Sequence, residues 1–249
     1  HGRKMIQGQN NLNSILDEYF FYAQGLEPSQ LNPFDTELAF NTYLLDTING
    51  STNYIQAHNG GALQRKTVKT KGGVNEMLMS LGANYDDKLY IGGTIGIPFL
   101  NYEETSTYQE IDTEDEIPDF TSLKISDELN SSGVGINLKL GIIYRITDWV
   151  RISGAFHTPT FYGISEQYST TMESEIWNET FASESPNGLS KYSLITPMKA
   201  IGGLAFVFAP YGSISADYEY IDYSKARLRE VESGYDFINQ NNKINDIYT

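Results

Sequence analysis

The chain has 249 residues, a net charge of −15 at pH 7 and no cysteine. This length suits one large β domain or two small ones. The negative charge argues against a nucleic-acid-binding protein, which needs a basic surface to meet phosphates, and the lack of cysteine excludes disulfides and thiol chemistry. No apolar run of about 18 residues is present, so no membrane-spanning helix is predicted.

The first predicted helix lies in NSILDEYFFYAQG, within a segment that runs from residue 10 to residue 61. Apolar residues recur there at helical spacing: Ile15, Leu16, Tyr19 and Phe20. Ser14 and Asp17 have the spacing of a capping box, and Gly25 is a typical helix end. The pattern therefore predicts a short amphipathic helix.

A second short helix is predicted in PFDTELAFNTYLL of the same segment. Asp35 is the expected N-cap, because a carboxylate accepts hydrogen bonds from the free amides at a helix start. Leu38, Thr42 and Leu45 are assigned to one face of this helix. Residues 10–61 are therefore predicted to form one long loop that carries two helices.

Most of the remaining chain is predicted to be strand, because apolar and polar residues alternate. The longest example is GVGINLKLGIIYRITDWVRISGAF, residues 133–156. One face is formed by apolar residues at every second position: Val134, Ile136, Leu138, Leu140, Ile142 and Tyr144. The other face carries Asn137, Lys139 and Arg145. Similar alternation is present in NEMLMSLGANY, LYIGGTIGIPF, VRISGAFH and SISADYEY.

Short turns alternate with long connections along the predicted strands. Residues 86–88, 147–148 and 210–212 are rich in Asp, Pro and Gly, as tight turns require. Residues 101–133 and 159–192 contain few sustained patterns, and we expect them to be long loops. Short turns at one end and long loops at the other are typical of bacterial outer-membrane barrels.

Aromatic residues are expected in two rings near the ends of the strands. One set lies beside the short turns: Tyr85, Tyr90, Tyr144, Trp149 and Tyr211. The other set lies near the opposite ends: Phe99, Tyr102, Phe156, Phe161, Tyr218, Tyr220 and Tyr223. Lipid–water interfaces favour such rings. The predicted class is therefore all-β, an antiparallel transmembrane β-barrel, with a soluble β-sandwich as the alternative.

The sequence offers little support for catalysis or for a metal. The three histidines are scattered, no G-x-S-x-G elbow is present, and the glycine-rich stretches lack the pattern of a dinucleotide loop. Residues 101–133 are dense in carboxylates, which leaves a calcium site open, although a solvated acidic loop is the favoured interpretation. We predict no enzyme activity, no metal and no cofactor.

Three stretches resemble a known family: GGVNEMLMSLGANYDDKLYIGGTIGIPFLNYEE, GINLKLGIIYRITDWVRISGAFHTPTFY and GSISADYEYIDYSKARL. They are similar to the Bacteroidetes branch of the FadL/TodX outer-membrane transporters of hydrophobic compounds. The resemblance implies a barrel of about 14 strands, of which residues 1–249 would supply about seven as one partial domain. An N-terminal hatch and the closing strands would lie outside this chain.

What the resemblance implies about function is passive uptake of long-chain fatty acids or other apolar molecules across the outer membrane. The partners would be these small molecules and membrane lipid, and we expect a monomer. Two alternatives stay open at this point. One is a non-transporting scaffold or secretion-associated barrel, and the other is a soluble β-sandwich binding protein.

Two candidate ligand sites follow. At the extracellular end, the helical loop would offer an apolar landing groove, formed by Leu16, Tyr19, Phe20, Leu38 and Leu45. In the lumen, four bases are candidates for a ligand carboxylate, because a buried anion needs charge-assisted donors: Lys139, Arg151, His157 and Lys199. The alternative for the lumen is a ladder in which these bases pair with Glu76, Asp217 and Glu219.

Overall fold

The computed structural model describes residues 1–231 and 236–248. The chain divides into two compact units. Unit 1 comprises His1–Gly72, Tyr102–Ser131 and Glu166–Leu189, and unit 2 comprises Gly73–Asn101, Ser132–Ser165 and Ser190–Thr249. Most of the described chain is antiparallel β-structure, as the alternation predicts. Among the described residues, no helix is long and apolar enough to cross a membrane.

The elements follow in chain order. The strands are β1 (Gly2–Asn10), β2 (Leu45–Thr47), β3 (Tyr54–Gln56), β4 (Ala62–Tyr85), β5 (Leu89–Ile111), β6 (Phe120–Arg145), β7 (Val150–His157), β8 (Phe161–Ile176), β9 (Glu179–Glu184), β10 (Gly188–Ile195), β11 (Lys199–Phe208), β12 (Gly212–Ile221) and β13 (Arg227–Glu230). The helices are α1 (Leu16–Ala23), α2 (Thr36–Asn41) and α3 (Ile238–Tyr248).

Strand pairing in the large sheet follows the order β1–β4–β5–β6–β7–β11–β12, and β8 pairs with β6, β9 and β10. In unit 1, β1 is antiparallel to β4, and β8 is antiparallel to β9. In unit 2, β7 lies between β6 and β11, and β11 pairs with β12. Strands β2 and β3 form a separate hairpin in unit 1.

The core of unit 1 is built around the two predicted helices. Side chains from both helices, from β2 and β3, and from β6 and β8 form one buried apolar cluster. Its members include Leu16, Ala23, Leu31, Leu38, Leu44, Leu45, Tyr54, Phe120, Leu123, Met172 and Ile176. Helices this short are marginal in water, so this packing is what stabilises α1 and α2.

The predicted start of α2 is confirmed, and that of α1 is confirmed only in part, because its N-cap is Ile15, which makes no side-chain cap hydrogen bond. The backbone N–H of Ser14 donates to Asp17 Oδ2 at 3.0 Å, which is one half of the predicted capping box. The other half differs, because Ser14 Oγ accepts from Leu16 N at 3.0 Å and not from residue 17. Asp35 caps α2 as predicted, with its side chain accepting from the N–H of Thr36.

Unit 2 contains the strand ends joined by the predicted short turns. The turns at residues 86–88, 146–149 and 209–211 connect β4 to β5, β6 to β7, and β11 to β12. Along β6, residues 134, 136, 138, 140 and 142 are exposed, while the intervening residues from 133 to 141 are buried or half-buried. The two faces of β6 therefore separate as the alternation predicts.

Two regions expected to be long loops are mostly strand. Within residues 101–133, β5 continues to Ile111 and β6 begins at Phe120. Residues 159–192 contain β8, β9 and part of β10. The alternation was missed because many inward positions are polar, such as the buried Ser106, Glu110 and Ser174. The strands β4, β5 and β6 have 24, 23 and 26 residues and are therefore longer than predicted.

We expect Leu38→Ala to destabilise unit 1 by about 2–5 kcal/mol, because it leaves a cavity in a packed core. Leu38 is 2% exposed, whereas Phe21 of the neighbouring helix is 73% exposed. Phe21→Ala is therefore the matched control and should change the free energy by no more than about 0.5 kcal/mol. Native-state hydrogen exchange of the α1 and α2 amides measures both changes. Similar losses of protection in the two variants would contradict the core assignment.

Candidate functional site

The predicted landing groove is corrected by the burial of its members. Leu16, Leu38 and Leu45 are 0%, 2% and 1% exposed, so they belong to the core and offer no surface to a ligand. Tyr19 and Phe20 are half-buried and pack against the same cluster. The helical spacing was correct for Leu16 and Leu38, whereas Leu45 lies in β2, beyond the end of α2 at Asn41. These apolar side chains face inward. The apolar faces of the two helices pack against strands of unit 1, so they are not available to form a ligand groove.

Unit 1 has a different apolar opening, which the sequence analysis missed. A cavity of about 220 Å³ is formed by residues of β2, β3, β6, the β8 end and neighbouring loops. Its lining is Tyr43, Asp46, Ile55, Gln56, Ala57, Pro118, Asp119, Phe120, Ile176 and Trp177. No local sequence pattern indicates it, because its lining comes from separate segments; Trp177 and Asn178 both adopt positive φ at the hairpin turn between β8 and β9.

Aromatic rings form one wall of this opening. The ring centroid of Tyr43 lies 5.7 Å from that of Trp177 and 4.6 Å from that of Phe181, in edge-to-face geometry. Tyr43 and Trp177 nevertheless keep about half of their surface exposed, at 46% and 51%. The wall is therefore held in place by aromatic contacts and remains accessible.

A buried polar cluster lies elsewhere in unit 1, around Glu110 of β5. The Glu110 carboxylate is fully buried and accepts from several donors. Ser14 Oγ and His58 Nε2 lie 2.6 and 3.0 Å from Oε2. Ile15 N, Tyr108 Oη and Gln64 Nε2 lie 2.9, 2.6 and 3.0 Å from Oε1. One carboxylate thus ties the start of α1 and the loop before β4 to β5.

This cluster positions backbone segments and does not activate a nucleophile. Ser14 Oγ donates directly to the carboxylate, whereas a catalytic serine would donate to a histidine base. The imidazole of His58 also contacts the carboxylate, and its ring centroid lies 4.1 Å from that of Phe120. Because a carboxylate only accepts, His58 Nε2 carries the proton of its contact with Glu110.

The hydrogen bonds also set the titration of Glu110. Burial alone raises a carboxyl pKa by disfavouring the charged form, but the donors His58, Ser14, Tyr108 and Ile15 stabilise that form. Together they hold the Glu110 pKa below its usual value of 4.5. The same burial, reinforced by the neighbouring carboxylate, raises the pKa of Tyr108 above its ordinary value.

In unit 2, an ion pair spans three neighbouring strands. Lys139 Nζ of β6 lies 2.6 Å from Glu76 Oε2 of β4, and Asn137 Nδ2 donates to Glu76 Oε1 at 2.8 Å. The side chains meet above Gly96 of the intervening β5. A Cβ at that position would lie 2.3 Å from Glu76 Oε1 and 2.6 Å from Asn137 Oδ1. The absence of a side chain at Gly96 therefore permits the pair.

The same polar row continues onto the next strands. His157 of β7 is the register partner of both Lys139 of β6 and Lys199 of β11. Lys199 Nζ in turn lies 3.0 Å from Glu219 Oε2 of β12. Three bases therefore stand side by side, with a carboxylate at each end of the row.

The proposed lumenal bases thus have two different settings. Lys139, His157 and Lys199 line one polar cavity of about 350 Å³, together with Glu76 and Asn137. Arg151 lies apart from them, opposite Arg145 in the β6–β7 register. Lys139 and Lys199 are paired with Glu76 and Glu219, as the ladder alternative predicted, and the Asp217 of that alternative lies instead beside Ser153 over Gly203.

The acidic residues between 101 and 133 were considered above for a calcium site. Asp112 accepts from the backbone N–H groups of Ile117 and Glu114, which closes a compact turn between β5 and β6. Within residues 1–231 and 236–248, no group of three or more His, Asp or Glu side chains is placed to hold a metal ion. Asp112 therefore acts as a turn residue.

We expect Glu110→Ala to destabilise unit 1 by about 3–5 kcal/mol, because it leaves several buried donors without an acceptor. Glu103 of the same strand pairs with Lys71 on the surface, where both side chains are more than half exposed, and Glu103→Ala should cost no more than about 1 kcal/mol. Hydrogen exchange of the α1 amides measures both. Equal effects would contradict the role of Glu110.

The same group predicts an acid sensitivity. Because the Glu110 pKa is lower in the folded state than in the unfolded state, the unfolded state binds its proton first as pH falls. The contribution to stability is therefore complete above the unfolded pKa of 4.5 and is lost as pH falls through the folded pKa. Unfolding measured from pH 7 downward should show this loss, and Glu110→Gln should reduce its slope.

We expect Gly96→Ala to displace the Glu76 carboxylate and weaken its pair with Lys139, because the new methyl group would lie 2.3 Å from Glu76 Oε1. The matched control is Gly141→Ala on the adjacent strand, where a Cβ meets nothing within 4 Å. Thermal unfolding should show a loss for Gly96→Ala alone. The loss should shrink in a Glu76→Ala background, and a loss that stays unchanged there would contradict this explanation.

Comparison with known proteins adds no assignment to this geometry. No family model matches the chain, and no curated protein matches it. The resemblance to hydrophobic-compound transporters therefore stays an expectation.

Proposed function

We propose that the chain forms part of the wall of an outer-membrane β-barrel that passively admits hydrophobic small molecules, such as long-chain fatty acids. The observation that carries this proposal is the facing of β6. Its aliphatic residues are the exposed ones, including Leu138, Leu140 and Ile142. The polar Asn137 and Lys139 lie on the less exposed face.

Neighbouring strands of unit 2 support the same interpretation. They also expose aliphatic and aromatic side chains: Met77, Met79, Leu81, Ile91, Ile95, Phe99, Ile152, Phe156, Ile214 and Tyr218. Soluble monomers rarely expose a contiguous apolar patch of more than a few hundred Å². A hydrocarbon environment favours such a surface, and strands that alternate apolar and polar residues suit a barrel wall.

The aromatic residues fit the same orientation. Tyr85, Trp149 and Tyr211 lie at or beside the short turns and are exposed. Amphipathic rings are favoured where the bilayer meets water. On this proposal the short turns face the periplasm and the charged row from Glu76 to Glu219 faces the lumen.

The charged row also limits how a ligand carboxylate is bound. Lys139 and Lys199 already have carboxylate partners at 2.6 and 3.0 Å. An incoming fatty-acid carboxylate would have to displace Glu76 or Glu219, or bind between the two lysines near His157. The charged row therefore fits a polar lining of the lumen better than a specific binding site for a ligand carboxylate.

We expect Leu140→Arg to impair barrel assembly, because a charge on the lipid face near the bilayer midplane costs about 2–4 kcal/mol. Lys139→Leu, on the opposite face, should cost less, since Glu76 keeps its hydrogen bond from Asn137. Leu140→Met conserves volume and serves as the control. The folded fraction in isolated outer membranes measures all three. Equal impairment by Leu140→Arg and Lys139→Leu would contradict the facing.

Uptake itself requires separate measurements on the full-length protein. Fractionation without detergent distinguishes a membrane barrel from a soluble β-sandwich, because a soluble protein contradicts the proposal outright. Extraction of the detergent-purified protein, followed by mass spectrometry, distinguishes uptake from a scaffold role. Recovered apolar ligand together with fatty-acid import into cells supports the channel. A membrane-inserted protein with neither property would instead be the scaffold.

A further inference from the structure

The aromatic opening of unit 1 differs in charge from a site for an acidic ligand. Two carboxylates lie in its lining, Asp46 and Asp119, beside the rings of Tyr43, Phe120 and Trp177. The lining contains no lysine, arginine or histidine. The nearest described histidine, His58, stacks on Phe120 and is committed to Glu110. A carboxylate ligand would therefore meet repulsion without a compensating base.

Gln56 of the lining is fixed by a contact with α1. Its Nε2 donates to Asp17 Oδ1 at 2.7 Å, which fixes the orientation of the amide because a carboxylate only accepts. The remaining atom, Gln56 Oε1, is buried and has no hydrogen-bond donor. A buried acceptor without a donor costs free energy. This oxygen is inaccessible to solvent, so the groups open to a ligand are the aromatic rings and the two aspartates of the lining.

We propose that this cavity binds a small organic cation with an aromatic or apolar body, such as a primary arylalkylamine. The ring faces of Tyr43 and Trp177 attract a cation through their quadrupoles. Asp46 and Asp119 supply opposite charge and carboxylate oxygens that accept hydrogen bonds from an ammonium group. The ammonium group of the ligand thus meets the two aspartates and the aromatic rings, and its apolar body meets the apolar side chains of the lining.

The size of the cavity limits the ligand to one ring. A protein cavity of about 150 Å³ holds a benzene molecule, and this one measures about 220 Å³. A single aromatic ring with a two-carbon chain and an amine fits that space, whereas a long acyl chain exceeds it. The proposed site lies entirely within unit 1 and does not depend on whether the chain transports solutes.

The two tryptophans of the chain make the site directly measurable. Trp149→Phe leaves Trp177, at the cavity, as the single tryptophan. Purified full-length chain with this substitution, in nonionic detergent at pH 7.5, is titrated with phenethylamine, 2-phenylethanol or 3-phenylpropionate. The three probes share a ring and differ in charge. Trp177 fluorescence should change saturably with phenethylamine, with about tenfold weaker binding of the alcohol and still weaker binding of the acid.

Charge-removing variants test the cause of this order. Asp46→Asn with Asp119→Asn should lower phenethylamine affinity to that of the alcohol. Glu18→Gln with Glu103→Gln removes two surface carboxylates outside the lining and should leave the affinity unchanged. An unchanged Trp177 emission maximum without ligand confirms that each variant keeps the pocket, and the two single Asp→Asn variants are measured as well.

Several results would overturn the proposal. These are the absence of a saturable response, equal affinities for the three probes, a preference for the acid, and an amine preference that survives loss of both aspartates. Because the readout is binding to purified protein, each of these results leaves fatty-acid uptake to be decided by its own assay. Conversely, failed uptake with intact amine binding would leave this site in place.

Discussion

The buried carboxylate of Glu110 is the interaction on which unit 1 depends. A single side chain of β5 accepts from Ser14, Ile15, His58, Gln64 and Tyr108, which are far apart in the sequence. An ionised group in so dry a place is stable only because its acceptor sites are filled. The helical segment is thereby held on the strands by polar contacts as well as by its apolar core.

The two units use charge in opposite ways. In unit 1, Glu110 is enclosed by hydrogen-bond donors and fixes one arrangement of loops. In unit 2, Lys139 and Lys199 lie on one face of a sheet and pair with carboxylates of other strands, while the opposite face of β6 is aliphatic. The first use stabilises a compact assembly. The second leaves a polar surface that water or a polar solute can reach.

Local rules explain which features were predictable from the sequence. Alternation predicted the faces of β6, and the side-chain chemistry of Asp35 predicted the start of α2. Tertiary packing decided the rest. It turned Leu16 and Leu38 inward, and it buried polar side chains of residues 101–133, such as Ser106 and Glu110, so the alternation of these strands is not visible in the sequence. The cavity at Trp177 joins segments far apart in sequence, and no local pattern reports such proximity.

Glycines at positions 96 and 203 have a consequence for how the strands find their partners. Each lies where side chains of other strands meet above it: Glu76 and Asn137 over Gly96, and Ser153 and Asp217 over Gly203. A slip of one residue would turn the glycine gap to the opposite face of the sheet. The carboxylate would then collide with a side chain and lose its partners. The two glycines therefore favour the observed register of the neighbouring strands over a register shifted by one residue.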